Sequence, residues 1–164
     1  MATETATADK TTTDQLNSLL RGEISAVETY TQASRKIEGE RAGDAALLRQ
    51  IEQEHGRNAQ FRREAVKRLG GEADNASGVW GVWAKAVEAI ATLLGDAATL
   101  KALKEGEEHG LRDYKDALEK LDGTARELVE RLLIPAQMRH IALLDELIDA
   151  GGSGTGMLTR PAAV

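Results

Sequence analysis

Residues 19–30 read LLRGEISAVETY, and residues 103–114 read LKEGEEHGLRDY. Leu19, Gly22, Glu23 and Tyr30 of the first stretch return as Leu103, Gly106, Glu107 and Tyr114 of the second, at an offset of 84 residues. In each stretch the Glu follows a Leu by four and precedes the Tyr by seven. On a 3.6-residue helix that spacing puts the carboxylate in the middle of an apolar stripe. A second pair follows: Glu52 lies 29 residues beyond Glu23 with His55 three further on, and Gln137 lies 30 beyond Glu107 with His140 three further on. A repeat of this length is a duplicated helical hairpin rather than a solenoid.

Working outward, a first helix is expected from about Asp14 to Glu38, with Leu16, Leu19, Leu20 and Tyr30 on one face and Thr13 or Asp14 as its cap. After a turn at residues 39–44, a second helix carries Leu48, Ile51, Ala59, Val66 and Leu69, and Gly70-Gly71 supplies a left-handed end. A longer crossover contains a short apolar helix from Val79 to Leu94, with Trp80 and Trp83 clamping it to the rest. The third long helix runs from about Asp96 to Leu121. The fourth starts at a Thr124/Glu127 capping box and runs to Ala150, kinked by Pro135. The expected division is a disordered segment 1–12, an all-α bundle 13–150 and a flexible Gly-rich tail 151–164.

Composition narrows the function. The chain has 164 residues, enough for one real core, and a net charge of −6 without a block of Lys and Arg. A basic face for nucleic acid or for an anionic membrane surface is missing. Zero Cys excludes disulfides, thiolate zinc sites, iron–sulfur clusters and cysteine nucleophiles. Residues 1–13 lack the apolar core of a secretory signal, and no apolar run is long enough to span a bilayer, so the expected location is cytoplasmic. No nucleophile elbow or phosphate loop is present.

What remains is the polar set on the apolar stripes: Glu23, Glu52, His55, Glu107, Gln137 and His140. A carboxylate in an apolar core needs a partner or a cation, and several together repel one another. Metal ions remove both difficulties. Glu-x-x-His offers two ligands on adjacent positions of one helix face, and carboxylate with imidazole suits iron, manganese or zinc. Tyr30, Tyr114 and Arg62 are candidates to hydrogen-bond the ligand carboxylates from behind. Glu28, Glu54 and Glu130 are weaker ligand candidates, and His109, two residues after Glu107, faces solvent. The competing reading is a metal-free polar network in which Arg62 and Arg139 pair with Glu23, Glu52 and Glu107 and the bundle is a non-enzymatic structural or interaction module.

These motifs resemble the ferritin-like superfamily over about residues 14–149, and more closely a bacterial ferritin-like four-helix-bundle family of unknown function. That family shares the Leu69-Gly70-Gly71 helix end, the Trp-bearing crossover helix, and the Gly106-Glu107…Tyr114 and Gln137…His140 signatures. Rubrerythrins are similar in the Gly-Glu…Tyr and Glu-x-x-His pieces, but with no Cys this chain has no rubredoxin module. The resemblance implies a ferritin-like four-helix bundle with a long crossover and a di-iron or single-iron centre reacting with oxygen or peroxide in ferroxidase- or peroxidase-like chemistry, for iron handling or oxidative-stress protection. Gln137 stands where the superfamily has a Glu, so one firm metal position and a weaker second are expected. The crossover helix offers a surface for a homo-oligomer. The tail, ending in Met157, Leu158 and Pro161, is similar to peptides that dock ferritin-like cargo into protein shells, a secondary alternative to plain disorder.

Overall fold

The computed structural model describes residues 2–37, 41–78 and 81–153. All regular structure among them is helical: α1 (Ala2–Lys36), α2 (Ala42–Arg68), α3 (Gly81–Leu94), α4 (Asp96–Ala117), α5 (Gly123–Leu128) and α6 (Ile134–Ser153), with a π-helical turn at Val129–Leu133 joining the last two. The short connections after α1 and α4 fold each chain half back on itself. α1 packs on α2, and α4 packs on α6, as two antiparallel hairpins; α3, in the crossover between them, contacts both α1 and α4. No described helix is long and apolar enough to cross a membrane.

The apolar stripes meet in two separate clusters. One gathers Leu16, Leu20, Val66, Leu121 and Leu133; the other gathers Ile37, Leu48, Leu100, Leu103 and Leu144. Between these groups, α1, α2, α4 and α6 carry the buried Glu23, His55, Glu107, Gln137 and His140. The bundle is thus sealed by hydrocarbon at both ends of a polar middle layer.

Several helix ends differ from expectation for identifiable reasons. α1 begins at Ala2, so the segment expected as a disordered lead-in continues the helix. That segment holds no Gly or Pro, and propagation from an already packed helix is far easier than nucleation. A Lys10–Asp14 ion pair of 2.6 Å bridges one turn of the extension. α2 closes as expected, in a Schellman motif: Gly70, at φ 75°, donates to Lys67 O, and Gly71 donates to Val66 O, both at 3.0 Å.

The expected capping box is not formed; α5 starts at Gly123 behind Asp122, and Thr124 lies inside the helix. Pro135 has no N–H, and its ring crowds the carbonyl of Arg131. The wider π-turn at Val129–Leu133 lies directly before Ile134 and takes up that misfit. α6 extends to Ser153, past the expected boundary at residue 151, with Arg41 donating to Leu147 O at 3.1 Å. Trp83 lies against Gly106 of α4, where an added Cβ would come within 2.8 Å of its Nε1. Of the turn expected at 39–44, residues 42–44 belong to α2; residues 38–40, Val79, Trp80 and everything from residue 154 lie outside the described residues.

Leu144 is fully buried in the second cluster. Leu144→Ala should lower unfolding free energy by about 2–5 kcal/mol in urea titrations; a loss below about 1 kcal/mol would mean that the cluster is not close-packed.

Candidate metal centre

The middle layer is organised around one imidazole. His55 of α2 is 2% exposed and lies between two buried carboxylates from the two repeats: Nδ1 is 2.6 Å from Glu23 Oε2, and Nε2 is 3.0 Å from Glu107 Oε1. His140 of α6 brings Nδ1 to 3.3 Å from Glu107 Oε2, and its ring meets His55 edge-on at 4.9 Å. Ligand atoms of His55, Glu107 and His140 all lie within 4.8 Å of one another. An ion with bonds of about 2.1 Å holds neighbouring ligand atoms roughly 3 Å apart, so this buried group could hold a metal after a small contraction. Two imidazoles and one carboxylate leave coordination positions open, a set suited to non-haem iron.

The tyrosines cross between the repeats. Tyr30 of the first donates to Glu107 Oε1 of the second at 2.6 Å, and Tyr114 of the second donates to Glu23 Oε1 of the first. Tyr30 also stacks on His55 at 5.5 Å. Arg62, wholly buried, places Nη1 2.8 Å from Glu23 Oε1 and lays its guanidinium 5.1 Å from the centre of the Tyr114 ring.

Electrostatics follow from these contacts. Burial disfavours the charged form of His55, but Glu107 and Glu23 outweigh it and hold the imidazolium up to about 10. Burial likewise opposes ionisation of Glu107, yet the His55 charge and hydrogen bonds from both histidines hold its carboxyl down at about 2. Glu23 is lowered against its own burial by Arg62 and His55. Without a metal, the layer is therefore an imidazolium and a guanidinium balanced by two carboxylates.

The other expected residues have different places. Glu52 is half-buried and turns to α1, accepting from Thr31 Oγ1 at 2.8 Å; it is not brought to the cluster. Gln137 is buried, but its Nε2 donates to the backbone carbonyl of Glu107 at 2.9 Å, a reach that Gly110 allows, since a Cβ there would lie 2.7 Å from the amide nitrogen. His109 is exposed, 3.6 Å from Asp113. Glu28 accepts from Ser77, Glu130 is exposed, and Arg139 reaches Glu54 at 3.6 Å. Glu54 is the residue that sequence reasoning undervalued: its Oε2 lies 3.1 Å from His140 Nε2. Its position one residue before His55 in sequence put it off the stripe, and no spacing rule signals a contact made across to another hairpin.

A cleft of about 690 Å³ leads to this layer between α1 and α4. Glu23, Tyr30, His55, Glu107 and Tyr114 reach its surface, and Gly22 leaves room in its wall, since an added Cβ would meet nothing within 4 Å.

The pKa shifts fix a pH profile for the metal-free protein. Glu107, lowered from 4.5 to about 2, contributes stability that is present above pH 4.5 and fades as pH falls toward 2. His55, raised from 6.5 to about 10, contributes stability that is full below pH 6.5 and fades as pH rises toward 10. Urea unfolding of chelator-treated protein should therefore give highest stability between about pH 4.5 and 6.5, with an alkaline decline that His55→Gln flattens. An unchanged alkaline limb in that variant would place the titrating group elsewhere.

A family model described as "Domain of unknown function (DUF2383)" matches residues 11–120, a span that contains Glu23, His55, Arg62 and Glu107 and ends before Gln137 and His140. No curated protein and no solved structure matches the chain. With 110 of its 164 residues inside the match, including both carboxylates that flank His55, this chain belongs to the DUF2383 family.

Proposed function

We propose that this chain is a ferritin-like metal-binding bundle that takes iron, with manganese and then zinc as alternatives, at His55, Glu107 and His140, and that it serves iron handling or oxidative-stress protection. One observation carries the reading: three buried ligand atoms from α2, α4 and α6 converge within 4.8 Å. The ferritin-like character of the sequence motifs supports the same assignment; the proposed ligand set leaves out Glu52, whose Oε1 turns to Thr31, and Gln137, whose Nε2 donates to the Glu107 carbonyl.

The surroundings suit a metal centre as well. Each imidazole has an outer carboxylate: Glu23 faces His55 Nδ1, and Glu54 faces His140 Nε2. Accepting a hydrogen bond from those ring nitrogens fixes ring orientation and leaves His55 Nε2 and His140 Nδ1 on the inner side. Tyr30 steadies the Glu107 carboxylate. An iron held there supplies redox chemistry toward oxygen or peroxide. The residues themselves bind the ion, give up the His55 proton on loading, and exclude bulk water by their burial.

A specific observation also favours the second reading, a metal-free network acting in helix register. Arg62 neutralises Glu23 inside the core, so the layer is already charge-balanced. Metal content after anaerobic ferrous loading separates the two. Wild type should retain about one iron per chain; Glu107→Ala and His140→Ala should lose at least tenfold in affinity, and Glu52→Ala should match wild type. At a free-ion concentration of 100 times Kd, binding adds about 2.7 kcal/mol of stability, so a chelator should lower the melting temperature by several degrees. No iron and no chelator effect would favour the structural reading.

The cleft gives a kinetic check. Gly22→Phe fills open space, so stopped-flow loading should slow about tenfold or more at unchanged final stoichiometry; an unchanged rate would mean that ions reach the centre by another path.

A further inference from the structure

We propose that Arg62 is a built-in cation occupying the second metal position, so that this duplicated bundle is a single-ion centre. The inference rests on the metal reading above and concerns how many ions the site accepts.

The duplication sets the expectation of symmetry. Glu23 and Glu107 are repeat mates, as are Tyr30 and Tyr114, and each tyrosine crosses to the other repeat's carboxylate. His55 touches both carboxylates. Up to this point the two halves supply the same residue types, although Tyr30 and His55 share one oxygen of Glu107 while Tyr114 and His55 take different oxygens of Glu23.

The equivalence then breaks. The second oxygen of Glu107 faces His140, a side chain with a lone pair to give. The oxygen of Glu23 turned away from His55, which already accepts from Tyr114, meets Arg62 Nη1 at 2.8 Å, and that same nitrogen donates to Asn58 O. A guanidinium has no lone pair to donate to a metal and cannot lose its charge. The offset of 85 residues that carries His55 to His140 carries Arg62 to Leu147, which is apolar and buried, so the second half has no such cation. Beside Glu107 there are two potential imidazole ligands; beside Glu23 there is one shared imidazole and one permanent positive charge.

Arg62 is poorly explained as a stabilising ion pair. It is wholly buried, and its Nε and Nη2 have no hydrogen-bond partner among the described residues. A buried pair with unsatisfied donors is commonly less stable than an apolar replacement. Its charge, by contrast, does what a second metal would do: it neutralises Glu23. A divalent ion arriving beside Glu23 would meet that charge at close range and would have to leave a guanidinium buried without its carboxylate. Gln137, neutral and tied to the Glu107 carbonyl, adds no compensating charge.

The test is ion count by mass spectrometry and manganese(II) electron paramagnetic resonance, after anaerobic loading of wild type, Arg62→Met and Arg62→Lys. The expected result is one ion per chain with an uncoupled six-line spectrum in wild type and in Arg62→Lys, and two ions with a spin-coupled spectrum in Arg62→Met. The wild-type spectrum alone is decisive should Arg62→Met fail to fold: a coupled two-ion signal there overturns the proposal. One ion in both wild type and a folded Arg62→Met also overturns it while leaving the metal centre standing. No ion in any of the three proteins removes the metal reading itself, and this inference with it.

Discussion

The structure depends on an imidazole held between two carboxylates in a buried layer of the bundle. A buried carboxylate without a partner is several kcal/mol too costly to tolerate, and two facing each other are worse. His55 solves this for Glu23 and Glu107 together, and in doing so ties α2 to α1 and α4 at one level of the bundle. The crossing tyrosines and Arg62 complete the same level. Hydrocarbon clusters above and below cover it at both ends, and burial of its side chains strengthens the charge interactions inside, while the cleft reaches it from the side.

A polar layer of this kind is a weak way to stabilise four helices. Leucines in the same positions would serve at least as well. Its presence in a core otherwise built from Leu, Ile, Val and Ala fits what the polar atoms would do when an ion is near, or the helix register that they enforce. The Glu54 carboxylate behind His140 is compatible with the first explanation, since it orients an imidazole that already has an inner partner in Glu107, whereas the Glu23–His55 contact serves both. The Arg62–Glu23 pair is the feature shared by both explanations, and it limits the first to a smaller centre than a symmetrical duplication would build.

Much of the fold was legible. The 3.6-residue stripes, the Gly70-Gly71 ending and the repeat gave two hairpins and a helical crossover, and all three are present. The repeat also singled out Glu23 and Glu107 without any structural knowledge. The ligand flanks were less legible, for a geometric reason. Glu52 and Glu54 stand on opposite sides of His55 around α2, about 60° and 100° away on a helix wheel. One side faces Thr31 of α1 and the other faces α6. Sequence spacing ranks Glu52 above Glu54, but which neighbour lies on which side is decided by hairpin packing. The π-turn before Pro135 was similarly visible only as a coming irregularity, since a kink and a widened turn relieve the same clash.

The most direct measurement of the central claim is anomalous diffraction at the manganese or iron edge from crystals of the loaded full-length chain. The account predicts one anomalous peak per chain, within coordination distance of His55, Glu107 and His140, with Arg62 still paired to Glu23. Loaded crystals with no peak in this layer, or with the ion bound at a surface cluster while His55 stays between its two carboxylates, would contradict it.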